Sequence, residues 1–327
     1  MRYSVLIHKR SADTFFECNT ITSDGVNITY NRVGTPGECK FSVLKAGALD
    51  FHEGDTVTIK DNGVLEFFGT VFSKRKNQWG DIEVKAYDRL RYLKAKASYQ
   101  FTNNTVGEII KRIAGDFNIP ISDIEYTGYR LPYLLKENTT CIDIISYANQ
   151  QITINTGKIF NFFDDGKGLC LKESAGMAYD VVIGDKSLAS SYEYTTDIDS
   201  DTYNSVKLVQ PNKKSGKADV YIEKDSDNIK RWNGLLQLYE TVDEKLTPAQ
   251  IKEMCKTRLK YYNRTLRTLT LEAVLGIPGL KAGALLFFNI PDLGDLSLSK
   301  WLIVEKVVHT LKESTRTMKL DTRLMEP

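Results

Sequence analysis

Over the first hundred residues, apolar side chains recur at every second position. Tyr3, Val5 and Ile7 alternate with Arg2, Ser4, Leu6 and His8. The same period returns at Val26, Ile28 and Tyr30, and again at Cys39, Phe41 and Val43. A period of two puts one set of side chains on a single face of a strand. Gly54-Asp55 opens a further strand at 56–60, and Asn62-Gly63 tolerates the positive φ of a two-residue hairpin turn. A strand at 65–73 follows, and Ile82, Val84 and Ala86 close the series. Short strands at this spacing predict a small barrel or sandwich.

The period changes at Thr105. Thr105 and Glu108 are placed as a capping box, and Val106, Ile109, Ile110, Ile113, Ala114 and Phe117 form one helical stripe that Asn118 and Pro120 end. A second helix is expected from Thr140, with Cys141, Ile144, Ile145 and Ala148 on one face. Strands at 158–163 and 169–172 flank Asp164-Asp165-Gly166-Lys167-Gly168 as a hairpin.

Beyond Ser190 the pattern is strand-like again. Segments 204–209 and 218–223 flank a polar loop from Pro211 to Gly216. Thr247, Pro248 and Gln250 start a helix near 247–264, whose apolar face is Ile251, Met254, Cys255, Leu259 and Tyr262. Leu266, Thr268, Thr270 and Glu272 then alternate with Arg267, Leu269, Leu271 and Ala273, and strands follow at 284–290, 301–310 and 315–324.

The two strand-rich stretches echo each other. Residues 66–74 and 82–88 run aromatic strand, polar turn, alternating strand, and so do 300–308 and 317–322. Small residues precede each stretch, Gly54-Asp55 in one and Ala282-Gly283-Ala284 in the other. The expected architecture is α+β and β-dominated, with two related β-barrel domains, 1–98 and 187–327, around a small α+β domain at 99–186. The second barrel carries the inserted helix near 247–264.

Composition changes this picture little. The 327 residues fit two or three domains. With 44 basic and 42 acidic residues the net charge is +2, which gives no general field for a polyanion. No run approaches the roughly 20 apolar residues of a membrane-spanning helix, and the first residues lack a signal-peptide core. Cys18, Cys39, Cys141, Cys170 and Cys255 are scattered and odd in number, so buried reduced thiols are expected rather than disulfides or a zinc site.

Candidate chemistry fails motif by motif. Gly157-Lys158, Gly166-Lys167 and Gly216-Lys217 are not followed by the Ser or Thr that holds magnesium in a phosphate loop, and Gly184 to Ser187 lacks Gly before Lys. Asp197, Asp199 and Asp201 imitate a calcium loop, but Thr202 and Leu208 stand where Gly and a bidentate Glu are needed. His8, His52 and His309 are too few and too separate for a metal or general-base cluster, and His309 is expected on a strand face beside Val307 and Leu311. Asp164-Asp165 is expected as a solvated turn. The run Arg89, Arg91, Lys94, Lys96, with Tyr87, Tyr92 and Tyr99, is weighed as a single-strand nucleic-acid surface against a solvated or subunit-contacting face, and the second is preferred. No catalytic, cofactor or metal residue is assigned.

Several stretches occur together and in order: Phe68-Gly69-Thr70-Val71, residues 82–90, Thr105 with Gly107 to Ile110, residues 231–237, the Thr247 helix, Leu280 with Gly283, residues 301–309 and residues 317–320. This set resembles the baseplate hub proteins of the phage-like element PBSX, the XkdQ-like family of contractile phage tails and tail-like particles. The resemblance implies two tail-tube-like barrels per chain and a homotrimeric ring of pseudo-sixfold symmetry. It also implies partners in the tail tube protein, the central spike, and the tape-measure and other baseplate proteins. It places the protein in a tail baseplate assembled in the host cytoplasm, with neither membrane nor nucleic acid as partner. No lysozyme-like or peptidase-like insertion accompanies it. A tail-associated peptidoglycan-degrading enzyme, suggested by the mixed middle domain, is the alternative expectation, and a single-strand nucleic-acid binder the third.

Overall fold

The computed structural model describes residues 3–184, 191–212, 217–293, 297–313 and 315–324. Asp185 to Ser187, from the run rejected as a phosphate loop, and Lys213 to Gly216 of the loop from Pro211 lie outside them. The first segment folds as β1 (Tyr3–Lys9), β2 (Thr14–Glu17), β3 (Thr22–Asn31), β4 (Glu38–Leu44), β5 (Thr56–Asp61), β6 (Val64–Lys76) and β7 (Asp81–Tyr87). The alternating residues Val5, Ile7, Cys39, Phe41, Val84 and Ala86 are all buried. Asn62 and Gly63 take φ of 48° and 83° in the two-residue turn between β5 and β6, as that dipeptide predicts.

The middle segment contains β8 (Lys96–Asn104), α1 (Val106–Asp116), β9 (Ile121–Ile124), β10 (Leu131–Thr140), α2 (Cys141–Thr156), β11 (Phe160–Asp164) and β12 (Leu169–Glu173). Both sides of the Thr105–Glu108 capping box are made, an arrangement worth about 1 kcal/mol. Val106, Ile109, Ile110 and Ile113 pack against Ile144, Ile145 and Ala148 of α2 in a core of their own.

The chain then runs through β13 (Ala178–Gly184), β14 (Ser191–Asp197), β15 (Ser205–Asn212), β16 (Lys217–Lys224), α3 (Ser226–Arg231), β17 (Gln237–Thr241) and α4 (Pro248–Tyr262). It ends in β18 (Leu266–Leu275), β19 (Leu285–Ile290), β20 (Leu298–Leu311) and β21 (Arg316–Leu324). The helix expected near 247–264 is α4, capped by Thr247 and Gln250. It is one part of a larger excursion. β15, β16 and β17 form a separate three-stranded sheet, and α4 covers it through Val206, Leu208, Ile251 and Cys255. Alternation alone had placed 204–209 and 218–223 with the other strands of the last segment.

The β segments do not stand apart as two closed barrels. Among the described residues they form one open thirteen-stranded sheet whose main path is β14-β18-β21-β20-β3-β4-β7-β6-β5-β1-β2, with β19 beside β20 and β13 beside β19. A single apolar core runs through both. Periodicity reports which face of a strand is buried and not which strand lies next to it, so it could not distinguish closure from continuation.

The internal echo is real at the level of hydrogen bonds. The path β3-β4-β7-β6-β5 is matched, strand for strand, by β14-β18-β21-β20-β19. Gly54 N donates to Val71 O and Val71 N to Asp55 O; Gly283 N donates to Val304 O and Val304 N to Ala284 O. Each long strand then bulges one residue later, at Phe72 between Val71 and Ser73 and at Glu305 between Val304 and Lys306. Gly54 and Gly283 hold φ of 95° and 94°, a region L side chains rarely adopt.

Their surroundings differ. A Cβ on Gly54 would meet nothing within 4 Å, whereas one on Gly283 would lie 2.2 Å from Asn161 Cγ. Asn161 is held there by donating Nδ2 to Gly283 O (3.1 Å) and Ser174 Oγ (2.8 Å). Gly54→Ala is therefore expected to cost about 1–2 kcal/mol, the backbone penalty alone. Gly283→Ala should cost roughly 1–3 kcal/mol more, because the middle domain must be pushed away. Urea unfolding of the two variants checks this, and equal losses would count against it.

Candidate functional site

Charged groups from all three parts of the chain meet in the interior. Arg316, on β21, is fully buried between Asp61 at the end of β5 and Glu66 on β6. Nη1 donates to Asp61 Oδ2 (2.8 Å) and Glu66 Oε1 (2.7 Å); Nη2 donates to Glu66 Oε2 (2.8 Å) and Ile277 O (3.0 Å). Gly279 N also donates to Glu66. Burial opposes the charge on Arg316, but Glu66 and Asp61 outweigh it and hold the guanidinium pKa above its ordinary value. Nearby, Asp164 of β11 accepts from Arg89 Nη1 (2.8 Å) and Gly166 N (2.7 Å), and Asp88 accepts from Gly37 N and Leu90 N. Lys281 sits 4.0 Å over the Tyr30 ring. The halves of the long sheet and the middle domain are thus tied together by ion pairs as well as apolar contact.

Sequence reasoning did not single out Asp61, Glu66 or Arg316. A signal was present for two of them. Asp61 falls in step with Val57 and Ile59, and Arg316 with Met318 and Leu320, so each occupies a core-facing position. Asp61 directly precedes the Asn62-Gly63 turn, where a polar residue is ordinary, and its partner Arg316 lies 255 residues away.

The flagged residues are dispersed. Cys18, Cys39, Cys141, Cys170 and Cys255 are all buried free thiols. Asp197 accepts from Asp199 N and Ser200 N in a turn that lowers its pKa through the first of these bonds. His8 pairs with exposed Asp13, His52 lies near Asp50, and His309 is wholly buried, so the three do not meet. Two expectations need correcting. Asp164 is a buried acceptor rather than a solvated turn residue, because the hairpin folds onto Arg89. The expectation for the basic run is corrected chiefly at Arg89, since Tyr92, Lys94 and Lys96 are exposed. Arg89 turns inward, Arg91 stacks on Phe72, Tyr92 reaches Thr70 and Tyr99 reaches Asp116.

A cleft of about 560 Å³ separates β10 and α2 from β17 and α4; its Glu240 is bound to the buried Arg258 Nε at 2.9 Å. No group of three or more His, Cys, Asp or Glu gathers at metal-binding distance among the described residues.

What the fold does present is strand edge. β3 pairs with the far half of β20, from Lys306↔Asn31 to Leu311↔Val26, and so joins the two repeats. Glu305 accepts from Arg32 Nε (2.7 Å) and Arg323 Nε (2.8 Å) at this join. The counterparts of these two strands have no such neighbour. Among the described residues β14 pairs with β18 alone, and β6 beyond Val71 has a strand, β7, on one side only. Among the described residues, the counterparts of the two edges that join the repeats carry no strand.

Comparison with known proteins agrees with this architecture. A family model described as YqbQ-like matches residues 26–323. The chain is 32% identical over 308 residues to YqbQ of Bacillus subtilis (strain 168), with 92% of each chain covered. It is 29% identical over 307 residues to the phage-like element PBSX protein XkdQ of the same organism, again with 92% of each covered. Its fold is similar to that of the 43 kDa tail protein of prophage MuSo2 from Shewanella oneidensis, with a TM-score of 0.69, 11% identity and 98% of each chain covered.

Proposed function

The chain belongs to the YqbQ-like family, and on that premise we propose that it is a structural baseplate hub of a contractile tail or tail-like particle. In this role three copies close into a ring that joins the tail tube to the central spike. The relatives carry the tail assignment: XkdQ is named for a phage-like element, and the similar solved fold is that of a prophage tail protein.

One observation carries the ring. A chain that joins its own two repeats edge to edge, and among the described residues leaves the counterpart edges at β14 and the far half of β6 without a strand, can add copies head to tail. Three chains present six repeats, the number a six-fold tube and a three-fold spike have in common. Within such a ring each pair of repeats would contribute a wall of one barrel, which accounts for the open sheet in a single chain. Closure also hides edges that would otherwise invite uncontrolled pairing. The role is mechanical, and the protein acts in the baseplate after assembly in the host cytoplasm.

Sedimentation of the purified chain, alone and mixed with the tube and spike proteins of its particle, tests this. A three-chain species is expected in at least one mixture. A protein that stays a single chain in all of them would overturn the proposal.

A further inference from the structure

The internal repeat fixes more than the existence of a contact between copies. The strand registers relate the two repeats residue by residue. Val71 and Val304 are equivalent through the shared bulge, so Ser73 corresponds to Lys306 and Asn77 to Thr310. On the neighbouring strands Ile28↔Cys39 in one repeat matches Tyr194↔Leu269 in the other, so Asn31 corresponds to Asp197 and Asn27 to Glu193. The pairings Cys39↔Ala86 and Leu269↔Thr322 agree with this correspondence.

Resting on the ring reading above, we propose that β14 of one copy pairs antiparallel with the far half of β6 of the next in the register of the intrachain join. That register sets Ser73 opposite Asp197, Lys74 opposite Thr196, Arg75 opposite Thr195, Lys76 opposite Tyr194 and Asn77 opposite Glu193.

Two features that the repeat did not have to supply support this pairing. The first is charge. In this register Arg75, opposite Thr195, shares a face with Glu193 and Asp197 and lies diagonal to both, whereas Lys74 and Lys76 face Thr196 and Tyr194 on the other side of the sheet. Opposite charges on facing strands stabilise an antiparallel pair, and like charges would repel.

The second is a coordinated exchange of side chains at the bulge. At the intrachain join Glu305 is held between Arg32 and Arg323. The equivalent positions are Phe72, Ile198 and Tyr87. Replacing one member of the triad would leave a charge unpaired, but all three are replaced by apolar or aromatic groups. Phe72 and Tyr87 already meet edge to face with centroids 5.5 Å apart, and the register brings Ile198 of the neighbour against them. The Thr310–Asn27 side-chain hydrogen bond (2.9 Å) has Asn77 and Glu193 as its counterpart, an amide donor facing a carboxylate acceptor.

The test is cysteine cross-linking of the full chain, alone and with the tube and spike proteins. All five native thiols are buried, so background should be low. Arg75→Cys combined with Thr195→Cys is expected to give covalent dimers and trimers on oxidation. Arg75→Cys with Ser191→Cys, displaced four residues or roughly 14 Å along the strand, should give none. Charge supplies a second measurement. Arg75→Glu, or Glu193→Lys with Asp197→Lys, should each weaken association at least about tenfold, and combining Arg75→Glu with both lysines in one chain should restore it. A three-chain species that forms no cross-link in this register, or prefers the displaced pair, overturns the register and leaves the ring standing. A chain that never associates overturns both.

Discussion

Replacing Arg316 with Met is expected to remove roughly 3–5 kcal/mol of stability, the usual cost of stripping one partner from a buried ion pair. The loss would not come from the weakness of the new side chain, since Met fills much of the same volume. It would come from what stays behind. Asp61 and Glu66 are both enclosed in the interior, and without the guanidinium they must either remain charged in a poorly solvated site or take up protons. The stem of Arg316 packs directly over Gly276, where an added Cβ would lie 2.1 Å from its Cγ. Adding Asp61→Asn and Glu66→Gln to Arg316→Met should recover a good part of the loss, since a neutral buried cluster is far cheaper than a naked charge. Urea unfolding of the single and triple variants measures both effects. A single-variant loss below about 1 kcal/mol would mean that the junction behaves like a surface pair.

The junction also marks where sequence stops speaking. Strand alternation showed the inward faces of β1, β4 and β7 because each residue there reports its own environment. The capping boxes at Thr105 and Thr247 were legible because all their partners lie within four residues. The repeat was visible as strand order, and the structure supplied the detail that made it useful, the paired bulges at Phe72 and Glu305. What could not be seen was contact between distant segments. Nothing near Asp61 announces Arg316, 255 residues away, and nothing near Asp164 announces Arg89. The inserted sheet of β15, β16 and β17 was missed for the same reason, since its strands alternate like the others and only their neighbours differ.

His309 should give the protein a loss of stability in acid. Nε2 lies 2.8 Å from Leu280 O and Nδ1 lies 3.2 Å from Arg316 Nη2. A carbonyl can only accept, so Nε2 must carry the proton, and the guanidinium beside Nδ1 keeps that nitrogen bare, which makes the buried ring neutral. Burial first, and then the charge of Arg316, bring its pKa down from 6.5 to about 3. The unfolded chain binds this proton near pH 6.5 and the folded one does not, so the contribution is complete above 6.5 and is lost as pH falls towards 3. The loss should grow steadily with each pH unit below 6.5, reaching on the order of 2–3 kcal/mol by pH 4.5. Asp88 acts in the opposite sense. Burial first, and then the charge of Asp164, push its pKa up to about 8. The folded state therefore favours its proton, and its contribution declines as pH rises from about 4 towards 8. Between pH 4 and 6.5 the two slopes oppose each other, so the unmodified protein alone can look nearly flat. The informative quantity is the difference between the protein and His309→Gln, whose amide can still donate to Leu280 O and accept from Arg316 but does not titrate. That difference should shrink steadily as pH falls from 7 to 4.5 in denaturant titrations. Parallel stability curves would show that His309 takes up its proton in the folded protein as readily as in the unfolded one.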